Sequence, residues 1–283
     1  MDKENKTTKQ NYYIKVLKSI LDIEREIVGV KVHVTKDDFV KSKFREVNRK
    51  IAYCTLVRNA TRGDSIKIAG DKFACVGAAA SLGITKARTN SETGFRQYEN
   101  STYGTMPISI SYAKRHAHIK MQTYGVSIGP LEDFDFEPDV VIIVCNPNNA
   151  MRIIQGYNHN HSFYDGFEFI GLGAICREVT SFPYENNKIN ISMMCPGTRM
   201  LCQWDINEMA VGIPFSQFYS TVEGIVNTIN PFERKKRKRK IIQNLKDKDL
   251  DIGIDIKLDQ NYDDAAYVGM TEKEIQEFNE NHR

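Results

Sequence analysis

Pro138-Asp-Val-Val-Ile-Ile-Val-Cys145 constrains the fold more than any other stretch of this chain. Val140 to Val144 are all β-branched and carry no polar alternation, the pattern of a strand buried on both faces. The run is far short of the roughly 20 apolar residues that span a bilayer. Asn146 and Pro147 follow at once, a helix cap and a first-turn proline, and open a helix carrying Ala150, Met151, Ile153 and Ile154. A buried strand feeding directly into a helix sets the class as α/β.

The rest of the chain continues that alternation. Tyr12 to Ile27 has helical apolar spacing, and Val28 to Val34 alternates as a valine-rich strand. Arg49 to Thr61 predicts a helix, Ser65 to Ile68 a short strand, and Cys75 a turn into a helix that closes at Gly83. Thr85 to Met106 lacks periodicity and is expected to be a surface loop of the kind that covers binding sites. Gly173 to Phe182 predicts a helix, Lys188 to Met193 and Glu208 to Ile213 strands, and Phe215 to Asn227 a helix. The expected architecture is two related α/β halves in one compact domain, residues 11–230, with a basic run and acidic tail over 231–283.

Composition bounds the partners. Of 283 residues 41% are hydrophobic and 27% charged, and the formal charge of +3 gives no reason to expect a polyanion as the main partner. The first ten residues lack the apolar core of a signal peptide, so a reducing cytoplasmic setting is expected. There the six cysteines would be thiols or metal ligands, not disulfides.

A Cys…Cys-x-Gly unit occurs twice. Ala52-Tyr-Cys54 pairs with Ala174-Ile-Cys176, each on a helix, followed by a strand and then Cys75-Val-Gly77 or Cys195-Pro-Gly197. The Cys-to-Cys separations are 21 and 19 residues, and an apolar strand precedes each copy. Two halves related by duplication could pack about an approximate two-fold axis and bring Cys54, Cys75, Cys176 and Cys195 together. Four thiolates suit an iron–sulfur cluster, favoured by the backbone N–H groups of the two Cys-x-Gly turns, or zinc. Buried thiols and a redox or nucleophilic thiol are the other readings. Cys145 and Cys202 read as core residues.

These residues also carry a resemblance. Cys54 with Arg58, Ala60 and Gly63, Cys75-x-Gly-Ala78, Pro138-Asp139-Val-Val, Cys195-x-Gly-x-Arg199, and Glu208…Gly212-Ile-Pro214 resemble the domain-of-unknown-function family one hundred and sixty-nine, over roughly Ile20 to Thr228. The resemblance implies a shared α/β fold and marks the cysteines as family features. It supplies no reaction, and the segment after Pro231 lies outside it.

Arg58 and Arg199 each lie four residues after a cysteine, where a cation lowers a thiol pKa or grips an anionic ligand; a structural ion pair is the plainer account. His116-x-His118 and His159-x-His161 would chelate only on a strand and read as exposed loop histidines. Asp205 and Glu208 suit proton transfer or helix capping. Gly125-Val-Ser127-Ile-Gly129 has the spacing of a nucleophile elbow but precedes Pro130 and acidic residues, so it reads as a glycine-flanked turn. Arg234 to Lys240 is cationic throughout; nucleic-acid binding is conceivable there but a solvated, partly self-neutralised extension is favoured. The functional expectation is a cytosolic protein with a Cys-ligated metal centre in a redox or small-molecule-activating role. The alternative is a metal-free protein binding a small anionic metabolite through Arg58 and Arg199. A small molecule or redox protein is the expected partner, and the reaction type is not legible.

Overall fold

A computed structural model describes residues 3–86, 93–162, 166–260 and 271–281. The strands are β1 (Val28–His33), β2 (Arg45–Glu46), β3 (Ile66–Ala69), β4 (Gly125–Pro130), β5 (Val140–Cys145), β6 (Asn190–Ser192) and β7 (Met209–Pro214). The first half carries helices α1 (Lys3–Leu21), α2 (Lys36–Lys41), α3 (Tyr53–Ala60), α4 (Val76–Ser81), α5 (Phe95–Glu99) and α6 (Met106–Arg115). The second carries α7 (Pro147–His161), the π-helix α8 (Ala174–Ser181), α9 (Phe182–Asn186), α10 (Pro196–Cys202) and α11 (Phe215–Asn227). Then follow α12 (Ile229–Phe232), α13 (Lys235–Asp247) and α14 (Glu272–Asn281).

All seven strands form one mixed sheet in the order β2-β3-β4-β1-β5-β7-β6. The order is symmetric about its centre. From the antiparallel β1–β5 pair, where Gly29 faces Val141, the first half runs outward as β1, β4, β3 and the second as β5, β7, β6. Each half thus lays down its first, third and second strand in that order. The strand symmetry is the one a perpendicular two-fold axis would give. Only the two-residue β2, parallel to β3, lacks a counterpart.

Strand alternation then separates two cores. Val28, Val30, Val126, Ile128, Val140, Ile142 and Ala210 face one apolar cluster together with side chains of α3, α4, α8 and α10. Val141, Ile143, Met209, Val211 and Ile213 face the other, beneath α1, α7, α11 and α13. Every helix of the repeated cysteine unit therefore lies on one face of the sheet.

Four local expectations are corrected. Gly125 to Gly129 is not a turn but the fully buried strand β4, and Ser127 Oγ there meets His33 Nε2 at 2.8 Å and Ser42 Oγ at 2.9 Å inside the fold. His159 and His161 lie on the last turn of α7, not in a loop. The basic run is partly self-neutralised, as expected, but it is packed against the fold rather than solvated. Lys235 to Asp247 is a helix whose Ile241 and Leu245 enter the core, and Lys238 is buried with its ammonium donating to the carbonyls of Asn230 (2.8 Å), Lys257 (2.6 Å) and Gln260. Arg237 donates to the Ile20 carbonyl, while Lys235 and Lys240 pair with Asp259 and Asp22. Much of the run's charge is spent on the chain itself. Of the segment Thr85 to Met106, residues 87–92 lie outside the described residues, and the remainder contains α5 rather than loop alone. Thr271 and Glu274 form the reciprocal cap that opens α14.

Candidate functional site

The cysteine helices contact one another across the two halves rather than within them. Cys54 is the second residue of α3, and α3 packs on α10 of the other half. Cys176 sits in α8, which packs on α4 of the first half. Tyr53 and Thr180 join α3 to α8 through their hydroxyls at 3.0 Å. Arg177 Nε donates to Ser81 Oγ, and Ser181 Oγ to the Ser81 carbonyl, both at 2.7 Å, joining α8 to α4. Cys75 and Cys195 occupy the cap positions that open α4 and α10, neither with a side-chain cap bond.

Cys176 is the middle of this arrangement. Burial in the apolar cluster pushes its thiol up to about 12, with Arg177 opposing, and Cys75, Cys195 and Cys54 are all near enough to act on it electrostatically. Its helix is the rare π form, which recurs at functional sites. Thr180 and Ser181 hydroxyls donate to the carbonyls five residues back, at 2.6 and 2.8 Å. The buried Glu178 accepts from the Ile170 and Gly171 amides at 2.7 and 2.9 Å and from the Ser192 hydroxyl, anchoring the helix to β6.

Cys54 is tuned the other way. The Cys202 thiol beside it, and then the Thr198 hydroxyl and the Thr55 amide, donate toward its sulfur and lower its pKa to about 7 against the desolvation that opposes them. Thr198 Oγ1 also lies 3.2 Å from Cys195 Sγ. Cys202 is buried, its own thiol pushed up by holding the proton for Cys54. It therefore belongs to the site as a donor, a role its place in the sequence did not suggest. Cys145 ends β5 on the opposite core. In metal-free protein, alkylation of Cys54 by iodoacetamide should rise with pH through a midpoint near 7, because the thiolate is the reactive form. Cys176 should stay unmodified over the same range. Peptide mass spectrometry reads both; a Cys54 midpoint near 9 contradicts the donor arrangement.

The other sequence candidates are placed as follows. Arg199 spends its guanidinium on the carbonyls of Asp205 (2.6 Å), Met193 (3.0 Å) and Glu208 (2.9 Å). Arg58 stands near Cys202, and its buried Nε has no partner among the described residues. Glu208 holds Arg25 by two contacts, at 2.5 and 3.0 Å, and accepts from the Asp205 amide at 2.8 Å. Among the described residues no group of three or more His, Cys, Asp and Glu side chains is arranged to hold a metal ion. None of their helices is long and apolar enough to cross a membrane.

The glycines after the two cap cysteines face open space. A Cβ at Gly197 would meet nothing within 4 Å, and one at Gly77 only Cys75 Sγ at 3.9 Å. Neither glycine has the positive φ that excludes side chains. Since glycine in a helix costs about 0.5–1 kcal/mol relative to alanine, neither backbone conformation nor protein packing accounts for its use at both equivalent places.

The DUF169 family, described as "Uncharacterised ArCR", matches residues 16–224. An uncharacterised protein of Methanocaldococcus jannaschii, MJ0308, is 19% identical over 213 residues, 75% of this chain and 91% of that protein. No solved structure matches the chain.

Proposed function

The chain belongs to the DUF169 family, whose match spans the two-half unit and stops before α13, and we propose that this unit holds a cysteine-ligated metal centre between its halves. The observation that carries the reading is that Cys54, Cys75 and Cys195 are all near enough to act on Cys176 electrostatically, while α3 packs on α10 and α4 on α8 across the two halves. The lowered pKa of Cys54 adds to it, because a thiolate is the ligating form. Open space above Gly197 adds to it: a group seated there would need the room that a side chain would fill.

A cluster is the first candidate, because the backbone N–H groups of the two Cys-x-Gly turns suit anionic thiolates and bridging sulfides. The centre would supply a redox or small-molecule-activating function, in a cytoplasmic protein. Zinc is the second candidate.

Gly77→Ala and Gly197→Ala test this without touching a ligand. Each variant should keep or slightly raise the stability of the metal-free protein, by about 0.5–1 kcal/mol. Each should also lower iron and sulfide retained after anaerobic purification. Variants that retain as much metal as the parent, or protein with none at all, would sink the proposal.

A further inference from the structure

Beside the cysteine site lies a cavity of about 500 Å³, a size that encloses a small metabolite. Its walls come from four separate segments: α4 with Gly83, the stretch around Lys86 and α5, the end of α6 with Ile119 to Gln122, and Arg177 of α8. Lys86, Arg96, Lys120 and Arg177 line it, and no Asp or Glu does. Among the described residues none of these four cations makes an ion pair. A concave wall of one sign concentrates its field on whatever enters.

Arg177 is preset. Its Nε is held by Ser81 and its Nη1 by the Tyr112 hydroxyl, so the planar fork is fixed before a ligand arrives. Two acceptors complete the lining. Gln97 Oε1 is buried without a partner among the described residues. His116 Nδ1 lies 3.1 Å from the Tyr112 carbonyl, which can only accept, so Nδ1 carries the proton. Burial and then the Arg177 charge hold the ring's pKa down at about 4, which keeps it neutral and leaves Nε2 as an acceptor. An anion alone would satisfy the cations but neither acceptor.

We propose that this cavity binds a small organic anion of charge two or more that also carries hydroxyl or amino donors, through Lys86, Arg96, Lys120 and Arg177 with Gln97 and His116. Sugar phosphates and hydroxylated polycarboxylates share that chemistry. None of the four repeated cysteines lines the cavity, so the assignment does not depend on a metal centre.

Isothermal titration of the full chain with ribose 5-phosphate, citrate and tricarballylate (citrate without its hydroxyl) tests it. Saturable binding of ribose 5-phosphate or of citrate, one per chain, is expected, and whichever is tighter identifies the phosphate or the carboxylate source. Tricarballylate should bind less well than citrate. Arg96→Ala with Lys120→Ala, both at exposed positions, should weaken binding roughly tenfold or more at an unchanged melting temperature. Raising salt from about 0.05 to 0.3 M should weaken the parent protein's binding as well, a measurement that needs no variant. No saturable binding by ribose 5-phosphate or citrate, equal binding by the double variant, or salt-independent affinity would overturn the assignment.

Discussion

Gly224→Ala is expected to cost about 3 kcal/mol or more of stability, seen as a lower urea midpoint with an unchanged slope. Helices α7 and α11 cross at Gly156 and Gly224, backbone against backbone. A Cβ on Gly224 would stand 1.9 Å from the Gly156 carbonyl oxygen and 2.8 Å from its carbon. No rotamer change relieves a clash with main chain, so one helix must move. That motion would loosen the core shared by Ile153, Phe218, Val222 and Ile225 beneath the second half of the sheet. Gly197→Ala is the matched control, since an added methyl group there meets nothing within 4 Å. Equal midpoints for the two variants would mean that α7 and α11 do not approach so closely.

Glu233→Ala is the second large effect, at about 3–5 kcal/mol. Arg152 is almost wholly buried, with 2% of its side chain exposed, and its Nε meets Glu233 at 2.8 Å. Its other nitrogens bond Gln155, Thr228 and the Ile225 carbonyl. Burial disfavours the guanidinium charge, and Glu233 is what opposes that penalty. Removing the carboxylate alone leaves a buried cation unpaired. Replacing both partners, as Arg152→Met with Glu233→Leu, should restore much of the loss, because an apolar pair needs no counter-charge. Chemical denaturation of the single and double variants reads the difference; an additive double variant would contradict the pairing. The same contact shows why the chain cannot be trimmed at Glu233 without harm, although the family match ends earlier.

Local pattern carried much of the fold. The apolar run of β5, the cap at Asn146 and the amphipathic stretch Phe215 to Asn227 each express their structure within a few residues, and each formed as expected. The order of the strands needed the structure, but once seen it repeats across the centre in step with the duplicated cysteine unit. β4 misled because glycines mark turns. Here Gly125 and Gly129 are set by crowding between strands, where a Cβ would stand 2.6 Å from the Ile68 carbonyl or the Ser65 hydroxyl. The π-helix misled less, since helical periodicity over eight residues does not distinguish its bonding from the α form.

The site divides in the same manner. Four cysteines stood out in the sequence because a repeat exposes equivalent positions, and α3, α4, α8 and α10, which carry or are capped by them, line one face of the sheet. Cys202 was not, because its partner Cys54 is distant in sequence and proximity alone makes it a donor. The cationic cavity draws on four segments with no common motif, so no window of the sequence contains it. In the basic run, Lys238 looked like its neighbours. Only the carbonyls folded around its ammonium set it apart.

Iron and acid-labile sulfide per chain, assayed after purification without oxygen, test the central claim most directly. A brown protein with about four of each, lost together in Cys54→Ser and Cys176→Ser variants, is the expected result. Colourless protein containing neither iron nor zinc, with all four repeated cysteines free to react with a thiol reagent, would contradict it.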